Sequence, residues 1–102
     1  MANVLPTHPG DEIKREMKRK SVTHYRLARD IGETPVYVNR VLNRKTHLSA
    51  VMALKIGKAM NLEPEWLLLL QNRHDLSRSL EKVDLDRITC YPEPLKEDIR
   101  SE

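Results

Sequence analysis

In the run Pro35-Val36-Tyr37-Val38-Asn39-Arg40-Val41-Leu42-Asn43-Arg44-Lys45, two kinds of polar chemistry stand side by side. Arginine carries a forked donor that matches the two major-groove acceptors of guanine, and asparagine offers the paired donor and acceptor that suit adenine. Arg40 and Asn39 supply these groups, Tyr37 adds a phenol hydroxyl, and Val36 adds an apolar surface that fits a thymine methyl. These four are the expected base-reading residues. Thr23, His24, Thr34, Asn43, Arg44 and Lys45 bring hydroxyls, an imidazole, an amide and cations. Groups of that kind hold backbone phosphates, which set register without reading sequence. Each alone is an ordinary solvated side chain, so the case rests on the elements that hold them.

Those elements are legible between residues 24 and 43. Leu27, Ala28 and Ile31 fall on one face of a first helix, and Gly32 follows at once, the cheapest residue for a left-handed exit. Thr34 then caps a second helix whose first turn accepts Pro35, because a proline there lacks only an N–H that has no helical partner. Val38, Val41 and Leu42 give the second helix its apolar side and leave Tyr37, Asn39, Arg40 and Asn43 elsewhere. The small Ala28 lets the two helices approach. A second helix held at a steep angle with polar tips outward is the geometry that enters a DNA major groove.

Around this motif the spacing predicts three more helices and no strands, an all-α fold. Pro9 to Lys20 has acidic residues in its first turn, Lys18-Arg19-Lys20 in its last, and an Ile13–Met17 stripe. Ser49 caps a fourth helix through Met60, with Ala53, Ile56, Gly57 and Met60 inward and Asn61 as its left-handed exit. Pro64 opens a fifth helix reaching about Leu80. Its run Trp66-Leu67-Leu68-Leu69-Leu70 turns through every direction of the helix circumference. Either that helix is sunk centrally in one subunit, or Trp66, Leu67, Leu69 and Leu70 meet a second copy, giving a homodimer. Residues 1–8 carry no period and are expected to lack regular structure until something docks on them.

The chain of 102 residues is expected to form one DNA-binding domain, residues 1–80, and a partly ordered acidic tail, residues 81–102. Net charge divides accordingly: 14 Lys/Arg against 8 Asp/Glu up to residue 80, a net of +6, then 4 against 7, a net of −3. Within the tail, Arg87 to Tyr91 is β-prone and is stopped by Pro92 and Pro94. One cysteine, no membrane-length apolar run and no signal-like start fit a cytoplasmic protein without a membrane.

Catalysis is not expected. His8, His24, His47 and His74 are scattered along the chain and Cys90 lies in the tail, so no close pairing of metal ligands is visible. No phosphate-cradling glycine loop or nucleophile motif occurs, and no cofactor is implied. The Asp11-Glu12 and Glu63/Glu65 pairs read as helix N-terminal charge.

Three segments across about residues 7–78 carry a family resemblance. They are His8-Pro9-Gly10 with Asp11, Ile13 and Glu16; YRLARDIG through VNRVLNRK; and PEWLLLLQNRHDL. Together they resemble the HigA/VapI antitoxins, which carry an XRE-type, lambda-repressor-like helix-turn-helix. His24 stands where a glutamine often opens the motif, Arg44 replaces a glycine, and Leu69 replaces an asparagine. The resemblance implies a five-helix lambda-repressor-like domain that binds a palindromic operator in double-stranded DNA as a dimer and represses its own operon. It further implies a protein partner, a RelE/HigB-like mRNA-cleaving toxin that the chain neutralises. A stand-alone dimeric XRE-type repressor with no toxin is the rival reading, and a toxin-sized basic gene just upstream would discriminate between them.

Overall fold

A computed structural model describes residues 8–94. The expectation for residues 1–7 and the end of the tail, residues 95–102, lies outside the described residues. Five helices follow one another: α1 (Pro9–Lys20), α2 (His24–Ile31), α3 (Pro35–Leu42), α4 (Ala50–Met60) and α5 (Pro64–Leu80). A 3-10 turn, Leu85–Arg87, comes after them. The architecture is the expected all-α one, with no strand among the described residues.

Local chemistry sets nearly every boundary. The Thr23, Thr34 and Ser49 hydroxyls accept from the backbone N–H of Arg26, Tyr37 and Met52, each at 3.1 Å. Those bonds satisfy donors that a helix start leaves open. Gly32 and Asn61 leave α2 and α4 in the left-handed region, with φ of 74° and 58°. Ser21 does the same after α1 at φ 56°, without the conformational freedom of glycine. Helix α5 starts without a side-chain cap, on Pro64 alone.

The core is aliphatic. Ile13, Leu27, Ala28, Val38, Val41, Ile56 and Met60 are buried, and Leu48 and Met52 join them from the α3–α4 loop and α4. Ala28 is wholly inaccessible, which lets α2 and α3 cross closely. Two glycines mark tighter approaches still. A Cβ at Gly57 would stand 2.6 Å from the Leu62 carbonyl oxygen, and one at Gly10 would collide with the carbonyl oxygen of Leu42. The N-terminus of α1 is thereby seated on the C-terminal end of α3.

The apolar run of α5 divides between two sides of the helix. Leu67 and Leu70 are 0% and 2% exposed, inside the subunit with Gln71. This corrects the expectation that both belong to an interface between copies: the helix's inner face packs on α4 and α1, and these two leucines complete that core. Trp66 and Leu69 remain outward, at 42% and 40% exposure. Leu76 and Leu80 continue that outer side seven and eleven residues beyond Leu69, and Val83 is exposed just past the end of the helix. In the tail, Arg87 to Tyr91 forms no ladder: those residues are exposed and no second strand lies among the described residues to receive them.

Candidate nucleic-acid interface

Helix α3 presents the expected polar edge. Val36 is 69% exposed despite being apolar, and Asn39 and Arg40 are exposed beside it. Tyr37, expected to face outward with them, is instead half-buried with its ring against the core. The Asn43 side-chain amide donates to the Asn39 backbone carbonyl at 3.0 Å and contacts the Asn39 side-chain oxygen, so the two asparagines brace each other across one turn. That leaves Arg40 as the long, freely reaching donor of the helix.

The phosphate candidates fall at three points of the motif. Thr23 and His24 open α2, Thr34 opens α3, and Asn43, Arg44 and Lys45 close it. Helix N-termini favour anions through their unpaired N–H groups and dipole. The Thr23 and Thr34 oxygens accept from their own helices, which leaves each hydroxyl proton to donate outward. His24 is half-buried, with its ring 4.2 Å from that of Tyr25.

The exit of α3 is tied to α1. The Arg44 guanidinium meets Asp11 at 2.6 Å, and Lys14 Nζ donates to the Asn43 side-chain oxygen at 3.1 Å. Arg44 has φ 63°, the left-handed conformation for which a glycine would be the unstrained choice. The tether to Asp11 and the backbone bond from Lys45 N–H to the Arg40 carbonyl, at 2.8 Å, hold it there.

Sequence reasoning missed one cluster altogether. His8 and His74, 66 positions apart, meet edge-to-face with ring centroids 4.6 Å apart, and His47 approaches the same place from the α3–α4 loop. Nothing in the spacing announces this, because the three histidines come from three separate elements. Among the described residues no set of three potential ligands is arranged to hold a metal ion. His8 instead caps α1, its Nδ1 accepting from Gly10 N–H at 2.9 Å.

Burial, then the neighbouring His74 and Arg44, lower the His8 pKa from 6.5 to about 4. The folded protein therefore holds this imidazole neutral, and the unfolded chain binds the proton more readily. Stability should be constant above about pH 6.5 and should fall as pH drops toward 4, by up to about 3 kcal/mol from this group. Denaturant melts of the wild type and His8→Asn, which keeps a capping acceptor but does not titrate, check this. The variant should lose most of the slope in that window, and an unchanged slope would assign it elsewhere.

The capped helix pair, the packed Ala28 and the outward polar side of α3 define a DNA-binding helix-turn-helix protein. The helix-turn-helix family model matches residues 13–67, and the chain belongs to that XRE-type family. A curated relative, virulence-associated protein A' of Dichelobacter nodosus, is 34% identical over 92 residues, covering 88% of this chain and 80% of the relative. Antitoxin GraA, a solved structure, is 28% identical, with TM-score 0.74 over 90% of this chain and 100% of its own. The antitoxin HigA of Pseudomonas aeruginosa, solved with the higBA promoter, shares the fold at TM-score 0.71 and 24% identity, over 88% of this chain and 98% of its own. The fold is thus antitoxin-like, and its family is one of DNA-binding regulators and antitoxins rather than an enzyme class. No described helix is long and apolar enough to cross a membrane.

Proposed function

We propose that this protein is the antitoxin of a toxin–antitoxin pair: it binds a palindromic operator as a homodimer, represses its own operon and neutralises a RelE/HigB-like mRNA-cleaving toxin. The observation that carries the reading is the exposed Val36–Asn39–Arg40 edge of α3, held outward by a helix pair that is capped and packed throughout. Arg40 reads guanine, Asn39 reads adenine, Tyr37 assists from its half-buried position, and Val36 touches a thymine methyl. Thr23, His24, Thr34, Asn43, Arg44 and Lys45 hold phosphates on either side. GraA and HigA, both antitoxins, share the architecture across nearly their whole length, which supports the toxin half of the reading.

The outer side of α5 supports the dimer. Trp66, Leu69, Leu76 and Leu80 stand at spacings of 3, 7 and 4 residues, with Arg73 filling the intermediate place, so the stripe alternates by three and four as in packed helix pairs. A second α5 laid against it covers apolar surface that one subunit leaves in water. Leu76→Glu should convert the dimer to a monomer in sedimentation while leaving the fold intact, because Leu76 is 67% exposed. A variant that stays dimeric would move the interface off α5.

For the toxin, the acidic tail is the natural complement, since a basic surface suits a partner that acts on RNA and opposite charge speeds encounter. Co-expression with a toxin-sized basic protein encoded beside this gene tests the function, and the absence of any such gene would itself favour a stand-alone repressor. Full-length protein should capture it, and removing residues 81–102 should weaken capture without abolishing DNA binding. Identical capture would clear the tail, and no capture with either form would favour a stand-alone repressor.

A further inference from the structure

A cavity of about 190 Å³ opens between the α3–α4 loop, the start of α1 and the inner side of α5. Arg44, Lys45 and His47 line it from the loop, and His74, the carboxylate of Asp75 and Arg78 line it from α5. Its walls are fixed by a chain of hydrogen bonds. Leu48 N–H donates to Gln71 Oε1 at 3.1 Å, and Gln71 Nε2 donates to Asp75 at 3.0 Å. His47 Nδ1 meets the other Asp75 oxygen at 3.4 Å. The loop that follows the reading helix is therefore clamped onto α5.

The charge of this cavity is unbalanced. Among the described residues Asp11 neutralises Arg44 and Asp75 faces two imidazoles, whereas Lys45 and Arg78 have no ion-pair partner. His74 Nδ1 is buried with no hydrogen-bond partner, 3.8 Å from the nearer Asp75 oxygen. Buried polar atoms without partners are uncommon, and the residue that carries this one lines the cation-rich hollow. The space is large enough for a tetrahedral oxyanion. Its mouth begins four residues beyond Arg40, on the loop that continues from α3.

We propose that this cavity is a phosphate-binding site filled by the DNA backbone, which makes Arg78 and His74 of α5 part of the nucleic-acid interface. The proposal rests on the DNA-binding reading and adds to the α2–α3 contacts a clamp from a different helix. Because the outer side of the same helix carries the stripe assigned above to the second copy, α5 links the position of one backbone phosphate to the dimer.

Two measurements on the full-length protein test it. In fluorescence anisotropy, Arg78→Ala should weaken binding to operator and random duplex by the same factor, about three- to tenfold, and reduce the slope of log K against log salt by about one. Arg78→Lys should restore most of both. In NMR, inorganic phosphate should shift the His74 imidazole resonances of the wild type and not those of Arg78→Ala. Unchanged affinity and slope together with silent His74 resonances would overturn the site, as would a loss confined to the operator. A phosphate response without any change in DNA binding keeps the phosphate site and overturns the backbone as its source. Because the phosphate titration needs no DNA, it still reads the site if the wild type fails to bind duplex, a failure that belongs to the function itself.

Discussion

Gly10→Ala should destabilise the domain by about 1–3 kcal/mol, although the same change in an exposed helix interior stabilises by up to about 1 kcal/mol. The sign reverses because the added Cβ meets main chain first, with the His8 ring nitrogen next at 3.1 Å. It would overlap the Leu42 carbonyl oxygen and lie 3.0 Å from the Leu42 carbonyl carbon. The collision forces α1 away from the end of α3, where Asp11 holds Arg44 and Lys14 holds Asn43. Thermal melts should show a fall of roughly 4–8 °C per kcal/mol for a domain of this size. A variant as stable as the wild type would mean that the α1–α3 contact relaxes freely.

Arg40→Ala should cost about 1–3 kcal/mol on the operator, roughly 5- to 150-fold in Kd, and far less on random duplex. The Arg40 side chain is exposed and has no hydrogen-bond or ion-pair partner among the described residues, so the fold should be unaffected within about 0.5 kcal/mol. That separation of binding from stability makes it the sharper probe of the α3 edge. Equal losses on both duplexes would reduce Arg40 to a phosphate contact.

The fold was legible because its signals are local. Thr34, Ser49, Gly32 and Asn61 act within one turn of themselves, and the apolar periods of α1 to α4 each mark one side of one helix, whereas the Thr23 cap of α2 was not among the expectations. Helix α5 was read less well. Five consecutive apolar residues give no direction, and only packing against α4 and α1 separates the inner Leu67 and Leu70 from the outer Trp66 and Leu69. The cap of α1 was missed because histidine is not a residue one looks for at that position, and its bond to Gly10 depends on the ring being buried and neutral. The cavity beside α5 was invisible for a different reason. His8, His47, His74 and Arg78 gather only when three elements dock, and no spacing in one chain records that. The α3 edge stands between these cases: its exposure followed from the helix period, whereas the mutual bracing of Asn39 and Asn43 and the tether of Arg44 to Asp11 needed coordinates.

A helix pair that reads one DNA sequence must bind that sequence more tightly than another of equal length. Fluorescence anisotropy of the full-length protein tests it most directly, against duplex from immediately upstream of its own gene and a scrambled duplex of equal length, at several salt concentrations. Binding should be tighter to the upstream duplex, with two protomers per site, and affinity for both duplexes should fall linearly in log salt through counterion release. No binding at low salt, or equal affinity for the two duplexes at every salt concentration, would contradict it.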